Sequence, residues 1–445
     1  MVCNLLLHDC SVLTADMTVI EHQSIAISGD KILEIGPADE LKIKYTAEKT
    51  LNGSGKLAMP GLVDGHTHVC QQLLRGRTID EWPMIWTRFL VPFESNLNPD
   101  DVYHSARLAC LEMIKSGTTS FIESGGVYME RAAEATVESG MRAAIACSTM
   151  DMGSFITGQM KDTVQGNLDK TERLYNAYHG AGDGRIHIWY AMRQVMTCSP
   201  ELVRATSQAA REKGTGIHAH LCEHRDEVRF CLENYKQRPV EYLLENDMLG
   251  PNFLTAHNVA LTEHDITLMK QHDVKVIHCP DSNLTNHGFS KTPRFLEENM
   301  VVGLGSDGAS SSCLNLFDQM KFLRYGMTAY WGLPVFDPMV MPCDALLRMV
   351  TVNGARAMLR ENEFGTLEVG KKADIITLNI SAPHLAPTSN LVKSIVTAAG
   401  PADVTDSIIN GKLVMENREV LTLDEEKIIA ECTARQKQIF ERAGI

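Results

Sequence analysis

"RIHIWYAMRQVMTCSPELVRATSQAAREKGTGIHAH", residues 185–220, reads as strand, helix, strand. Arg185–Met192 is a short run rich in Ile, Trp and Tyr, the composition of a buried strand. The stretch "SPELVRATSQAAREKG" carries a helical pattern, and Gly214–His220 is again a short strand candidate. A strand, a helix and a second strand in that order form the unit of a parallel sheet.

The same alternation continues on both sides. Further strand candidates are Lys56–His68, Gly117–Ser124, Arg142–Met150, Asn252–Val259, Asp273–Pro280 and Met300–Asp307. Helical patterns lie between them, among them "DDVYHSARLACLEMIKSG" and "ERAAEATVESG". In the first, Val102, Ala106, Ala109, Cys110 and Met113 share one apolar face and Gly117 ends the helix. Eight strands in βα alternation predict an α/β fold of the (β/α)8 barrel type rather than an open doubly wound sheet.

The two ends have a different character. "CNLLLHDCSVLTADMTV" and "SIAISGDKILEIG" near the start, and "ADIITLNI" and "DSIINGKLVMENRE" near the finish, read as β structure with hairpin turns at Gly29-Asp30 and Asn410-Gly411. We expect residues 1–58 and 365–445 to build one small β-sandwich around a barrel of residues 59–364. "LDEEKIIAECTARQKQIFERAG" reads as a terminal helix.

A formal net charge of -14 over 445 residues argues against a large nucleic-acid footprint or an anionic membrane surface. No apolar run approaches the roughly 20 residues of a membrane helix. Twelve scattered cysteines without a CxxC pair, and a start "MVCNLLLHDC" that lacks a basic leader, fit reduced thiols and a cytoplasmic location.

Barrel enzymes carry their reacting groups at the carboxyl ends of the strands. Here those ends hold His66 and His68, His218 and His220 with Glu223 just beyond, His257, His278, and Asp307. Residues two apart on a strand share a face, so His66 and His68 can grip one ion. A catalytic zinc needs about three protein ligands and an open position. Imidazole and carboxylate donors suit Zn, Fe or Mn. Each residue has a bland alternative: His257 and His278 as core histidines, Asp307 as a helix cap. All of them at strand ends of one barrel is a different matter. Cys70, Cys222 and Cys279 lie beside these histidines, and we read them as packing.

"MPGLVDGHTH", "HAHLCEH", "LTAHNV", "HCPDSNL" and "LGSDGASSS", in that order, resemble the amidohydrolase superfamily, and more narrowly its aminohydrolase branch. That branch includes methylthioadenosine/S-adenosylhomocysteine deaminases, guanine deaminase and triazine hydrolases. The resemblance spans nearly the whole chain and includes "LLRG", "SGTTSF", "VNGARAM" and "GTLEVGKKADIITLN". It implies a barrel plus a β-sandwich from both termini. It implies one divalent metal, usually Zn, on His66, His68, His220 and Asp307. Glu223 matches its proton-shuttling glutamate, with a raised pKa, and His257 the histidine that faces water and substrate. Asp307 then doubles as proton acceptor. "RIHIWYAM" has no lysine to bridge two metals, which favours one.

The match departs at the substrate. A ribose-holding glutamate before a tryptophan is either Glu81-Trp82 or, with better spacing to Pro92 and Glu94, absent at Ile85-Trp86; Trp86 is then the substrate-side aromatic. The arginine usual after strand three is replaced around Cys147. "MRQVMTCSP" places Arg193 where a histidine is usual. Arg193 faces either an acidic or carbonyl-rich substrate or a neighbouring carboxylate. The expected activity is deamination of an amino-substituted N-heterocycle: an adenosine derivative, or a guanine-like or pterin-like ring. The alternative is removal of chloride or an alkylamine in the manner of triazine hydrolases. A non-catalytic relative ranks low, because all four ligand positions and Glu223 are present. A homo-oligomer acting on a small heterocyclic substrate is expected.

Overall fold

The computed structural model describes every residue except Trp82 and Ser311. Eight parallel strands follow one another in sequence order: Leu62–Thr67, Thr118–Gly126, Arg142–Cys147, Ile186–Met192, Ile217–Leu221, Phe253–His257, Lys275–His278 and Val302–Leu304. They are numbered one to eight below. Every residue of these eight strands is buried. A sheet covered on the outside by helices and filled on the inside has no wet face, so its strands are not required to alternate.

The last strand returns to the first. Thr67 and Asp307 form a parallel bridge, and the Asp307 N–H donates to the His66 carbonyl at 2.9 Å. Gly305 permits this approach: a Cβ there would stand 2.8 Å from the Cβ of His66. The closure therefore sets Asp307 beside His66 and His68.

All eight predicted strands are present, with one correction. Lys56–His68 is two strands, divided at Gly61. Lys56–Pro60 pairs antiparallel with Ile375–Asn379 in the terminal sheet, and only Leu62–Thr67 enters the barrel. Pro60 has no N–H to carry a ladder onward, and a Cβ at Gly61 would meet Thr119 Oγ1 at 2.1 Å.

The terminal strands form one nine-stranded sheet drawn from both ends of the chain. Its first strand, Val2–Leu13, pairs over Val2–His8 with Thr46–Asn52, then over Ser11 and Val12 with Leu57 and Ala58. That strand is irregular between Leu7 and Val12, and it joins the two halves. Leu5, Leu7, Ile25 and Ile27 from one half pack with Ala58, Ile375 and Ile408 from the other. So the two packed layers are one continuous sheet rather than two separate ones. Asn410 and Gly411 have φ of 51° and 76° and make the tight turn that joins Val404–Ile409 to Lys412–Glu416. The terminal helix Glu425–Ala443 lies against the barrel helix Pro99–Lys115, where Arg435 and Arg442 both pair with the buried Asp101.

Barrel and sheet are clamped by a fully buried ion pair. Arg142, at the start of strand three, meets Asp374 through Nε at 2.7 Å and through its terminal nitrogen at 3.2 Å, and also reaches Asn410 at 3.0 Å.

Candidate active site

His66 and His68 leave the end of strand one, His220 that of strand five, and Asp307 follows strand eight. In the folded protein they converge. The Nε2 atoms of His66 and His68 lie 3.3 and 3.5 Å from Asp307 Oδ1, and Nε2 of His68 is 3.2 Å from Nε2 of His220. Ligand atoms of His66, His68 and Asp307 lie within 4.8 Å of one another, as do those of His66, His220 and His257.

The outward-facing nitrogens show how these rings are aimed. Nδ1 of His220 donates to the Arg193 carbonyl at 2.8 Å, which leaves its Nε2 as a lone pair directed into the cluster. Nδ1 of His66 is engaged by His218 at 3.0 Å, and Nδ1 of His68 by Ser124 Oγ at 2.9 Å. Lone pairs facing one another at this range repel unless a cation lies among them. Nε2 of His66 finds no well-formed hydrogen bond to any described residue. Burial holds His66, His68 and His220 below the usual histidine range, so they are neutral, the form in which imidazole ligates. Burial pushes Asp307 up, but its 3.3 Å contact with His66 and the neighbouring imidazoles outweigh that and hold it well below the carboxylate range. Three neutral imidazoles and one carboxylate are a donor set for a divalent ion.

The backbone bends sharply to present these groups. Asp307 and His257 have φ of 61° and 75°, in the left-handed region that side chains with a Cβ adopt at a cost of about 1–3 kcal/mol each. Asp307 caps no helix; its Oδ1 accepts from the Gly308 N–H at 2.8 Å. Behind strand one, Asp64 accepts from Ser306 and from the His66 N–H, and burial pushes it up to about 7. Glu123 accepts from the N–H groups of Val69 and Gly125, and burial takes it to about 8.

On the other side of the cluster, His257 is fully buried with Nδ1 3.0 Å from the Asn283 side-chain nitrogen. Its Nε2 points toward Glu223 Oε1 at 3.9 Å. Glu223 does not have the raised pKa expected of it. Burial pushes it up, but His257 and His287 outweigh that and hold it well below the carboxylate range.

Arg193 meets a carboxylate. Its guanidinium lies 3.3 and 3.5 Å from the two oxygens of Glu94, and both side chains are buried. Gln71 completes the group by donating to Glu94 Oε1 at 2.7 Å. The half-buried ring of Trp86 meets that of Phe155 edge-on at 5.3 Å. Glu81 is tied to Arg77 and Arg88, and its partner in the Glu81-Trp82 alternative lies outside the described residues. Cys70, Cys222 and Cys279 are fully buried free thiols pushed well above the usual cysteine range by burial. His278 is core, bonded to Thr292 at 2.7 Å.

Ser124, Asn283 and His287 escape the sequence reading. Asn283 sits within the quoted "HCPDSNL", but no spacing rule joins it to His257. Asp64 was open to inference, since it precedes His66 and His68 on the same face of strand one.

The model of the Amidohydrolase family matches residues 57–414. The chain is 37% identical over 445 residues to the 5-methylthioadenosine/S-adenosylhomocysteine deaminase of Pelotomaculum thermopropionicum, covering 99% of each chain. It is 34% identical to the 5'-deoxyadenosine deaminase of Methanosarcina acetivorans, again over 99% of each. Among solved structures it resembles an adenosine deaminase from Xanthomonas campestris with bound zinc, at a TM-score of 0.91 and 26% identity, covering 98% of this chain and 99% of the other.

Proposed function

This chain belongs to the amidohydrolase family, and from that premise we propose that it is a hydrolytic deaminase that releases ammonia from an adenosine derivative. It is a hydrolase of carbon–nitrogen bonds in cyclic amidines, as its relatives' names indicate. The observation that carries the reading is the convergence of His66, His68, His220 and Asp307 at the barrel mouth, with Glu223 and His257 facing them.

We assign the first four as ligands of one divalent ion, with zinc the best fit to three imidazoles and a carboxylate and Fe or Mn compatible. Such an ion, when bound, lowers the pKa of a water molecule toward ~7. The chain's own groups do the rest. Asp307 accepts the proton of the attacking water. Glu223 delivers a proton to the ring nitrogen beside the amino-bearing carbon. With Asn283 donating to its Nδ1, His257 carries a proton on Nε2 and offers it to the oxygen that develops charge. His218 fixes the ring of His66, and the Arg193 carbonyl that of His220.

A second reading is favoured by one observation. The buried Gln71–Glu94–Arg193 group offers amide, carboxylate and guanidinium side by side, which suits a ring edge bearing carbonyl and N–H groups, as in a guanine-like or pterin-like substrate. The two are separated by kcat/KM for ammonia release across adenosine derivatives, guanines and pterins. Preference for an adenosine derivative supports the first, and preference for an oxo-substituted ring the second. Chloride or alkylamine as the sole product would contradict both. Membership of a homo-oligomer is also proposed, with the oligomeric state to be read from sedimentation. Among the described residues no helix is long and apolar enough to cross a membrane.

A further inference from the structure

One residue contacts both histidines that flank Glu223, one through its side chain and the other through its backbone. Asn283 is fully buried on the helix Pro280–Asn286. Its side-chain nitrogen meets His257 Nδ1 at 3.0 Å, and its backbone carbonyl accepts the His287 N–H at 2.8 Å. The Nε2 atoms of both imidazoles then face the same atom, Oε1 of Glu223, at 3.9 Å for His257 and 3.5 Å for His287. The two histidines differ in access. His257 is sealed inside the ring cluster, whereas 21% of the His287 side chain is exposed.

We propose that His287 is the positioning residue of Glu223, holding its carboxylate in place and relaying the proton between it and solvent. This rests on Glu223 being the proton shuttle in the reading above. The reaction needs Glu223 to deliver a proton, yet its surroundings keep it ionised at rest. Burial lowers His287, but the bond to Glu223 and its charge outweigh that and raise it above the usual histidine range. The proton Glu223 requires is therefore stored one contact away. In the relay the Nε2–H bond of His287 breaks as the Oε1–H bond of Glu223 forms. A neutral imidazole with its proton on Nδ1 is left, and a solvent acid restores the proton at Nε2.

The other groups facing this pair come from three neighbouring segments. His224 lies 5.6 Å from the His287 ring, and the charge of Asp307 also reaches it. Glu227 accepts from the Glu223 N–H, and Arg193 and Glu223 feel one another's charge. None of these has an imidazole nitrogen on Oε1 of Glu223 together with an exposed edge.

The test uses the metal-loaded full-length protein and two readouts. His287→Ala should lower kcat about tenfold, short of the ~10²–10⁴ of a direct proton donor, with KM within about twofold. Added imidazole should restore part of the loss, which a merely structural defect would not allow. Independently of turnover, 15N NMR of the histidine rings should place the His287 midpoint about one pH unit lower in Glu223→Gln than in the parent. An unchanged kcat and pH profile in His287→Ala would overturn the proposal, as would a His287 midpoint indifferent to Glu223→Gln. If the parent releases ammonia from no ring, the deaminase reading fails by itself and the NMR titration still decides the pairing.

Discussion

Replacing Glu94 by Gln should destabilise the protein by about 3–5 kcal/mol, the usual consequence of stranding one partner of a buried ion pair. The substitution keeps the shape of the side chain and the acceptor that Gln71 uses, and removes only the charge opposite Arg193. At 3.3 Å and an effective dielectric near 20, the lost attraction is about 5 kcal/mol before solvent and neighbours respond. Arg193 cannot escape to water, since only about 5% of its side chain is exposed, and its carbonyl also orients His220. The assay is chemical denaturation at saturating zinc, compared between parent, Glu94→Gln and Glu94→Gln/Arg193→Met. The double variant should recover most of the loss, because no unpaired charge remains. A single variant within about 0.5 kcal/mol of the parent, the range of an ordinary surface change, would show that Arg193 is not stranded by loss of the Glu94 charge.

Other consequences are as direct. Asp374→Asn strands the buried Arg142 between barrel and terminal sheet and should also cost about 3–5 kcal/mol in a denaturation midpoint, with little change in kcat per folded molecule. His218→Ala frees the ring of His66 and should weaken metal affinity about 10–100-fold by competition with a chelator. Burial pushes Glu227 up to about 8, above its value in the unfolded chain. Its contribution to stability is therefore complete below the unfolded pKa and lost as pH rises through about 8. Glu227→Gln should accordingly gain on the parent in denaturant between about pH 5 and pH 9, and equal differences at both ends would contradict this.

The barrel was legible because each strand is a short apolar run and each helix shows its own period, so the βα count survives small errors in boundaries. The exception, Lys56–His68, is apolar on both sides of Gly61, and no periodicity marks where a chain leaves one sheet for another. Strand ends collect at one face, so the histidines and Asp307 there could be grouped without knowing any distance, and the resemblance to the family then singled out His66, His68, His220 and Asp307 as the expected ligands. Partners chosen by the tertiary fold were not. Glu94 reaches Arg193 from the short helix Val91–Ser95, Asp374 reaches Arg142 from the far end of the chain, and from beyond strand seven Asn283 reaches His257 and His287 reaches Glu223. The pKa expected for Glu223 went the wrong way for the same reason. Burial was anticipated, but the histidines that outweigh it come from other segments.

The role proposed for Glu223 is to move protons without ligating the metal. It is tested most directly by ammonia release from a panel of adenosine derivatives, with metal content measured on the same samples, for the parent and Glu223→Gln. Both proteins should hold about one metal ion, and the parent should release ammonia where the variant does not. Ammonia release by Glu223→Gln at the parent's rate, or none from a metal-loaded parent on any of these rings, would contradict it.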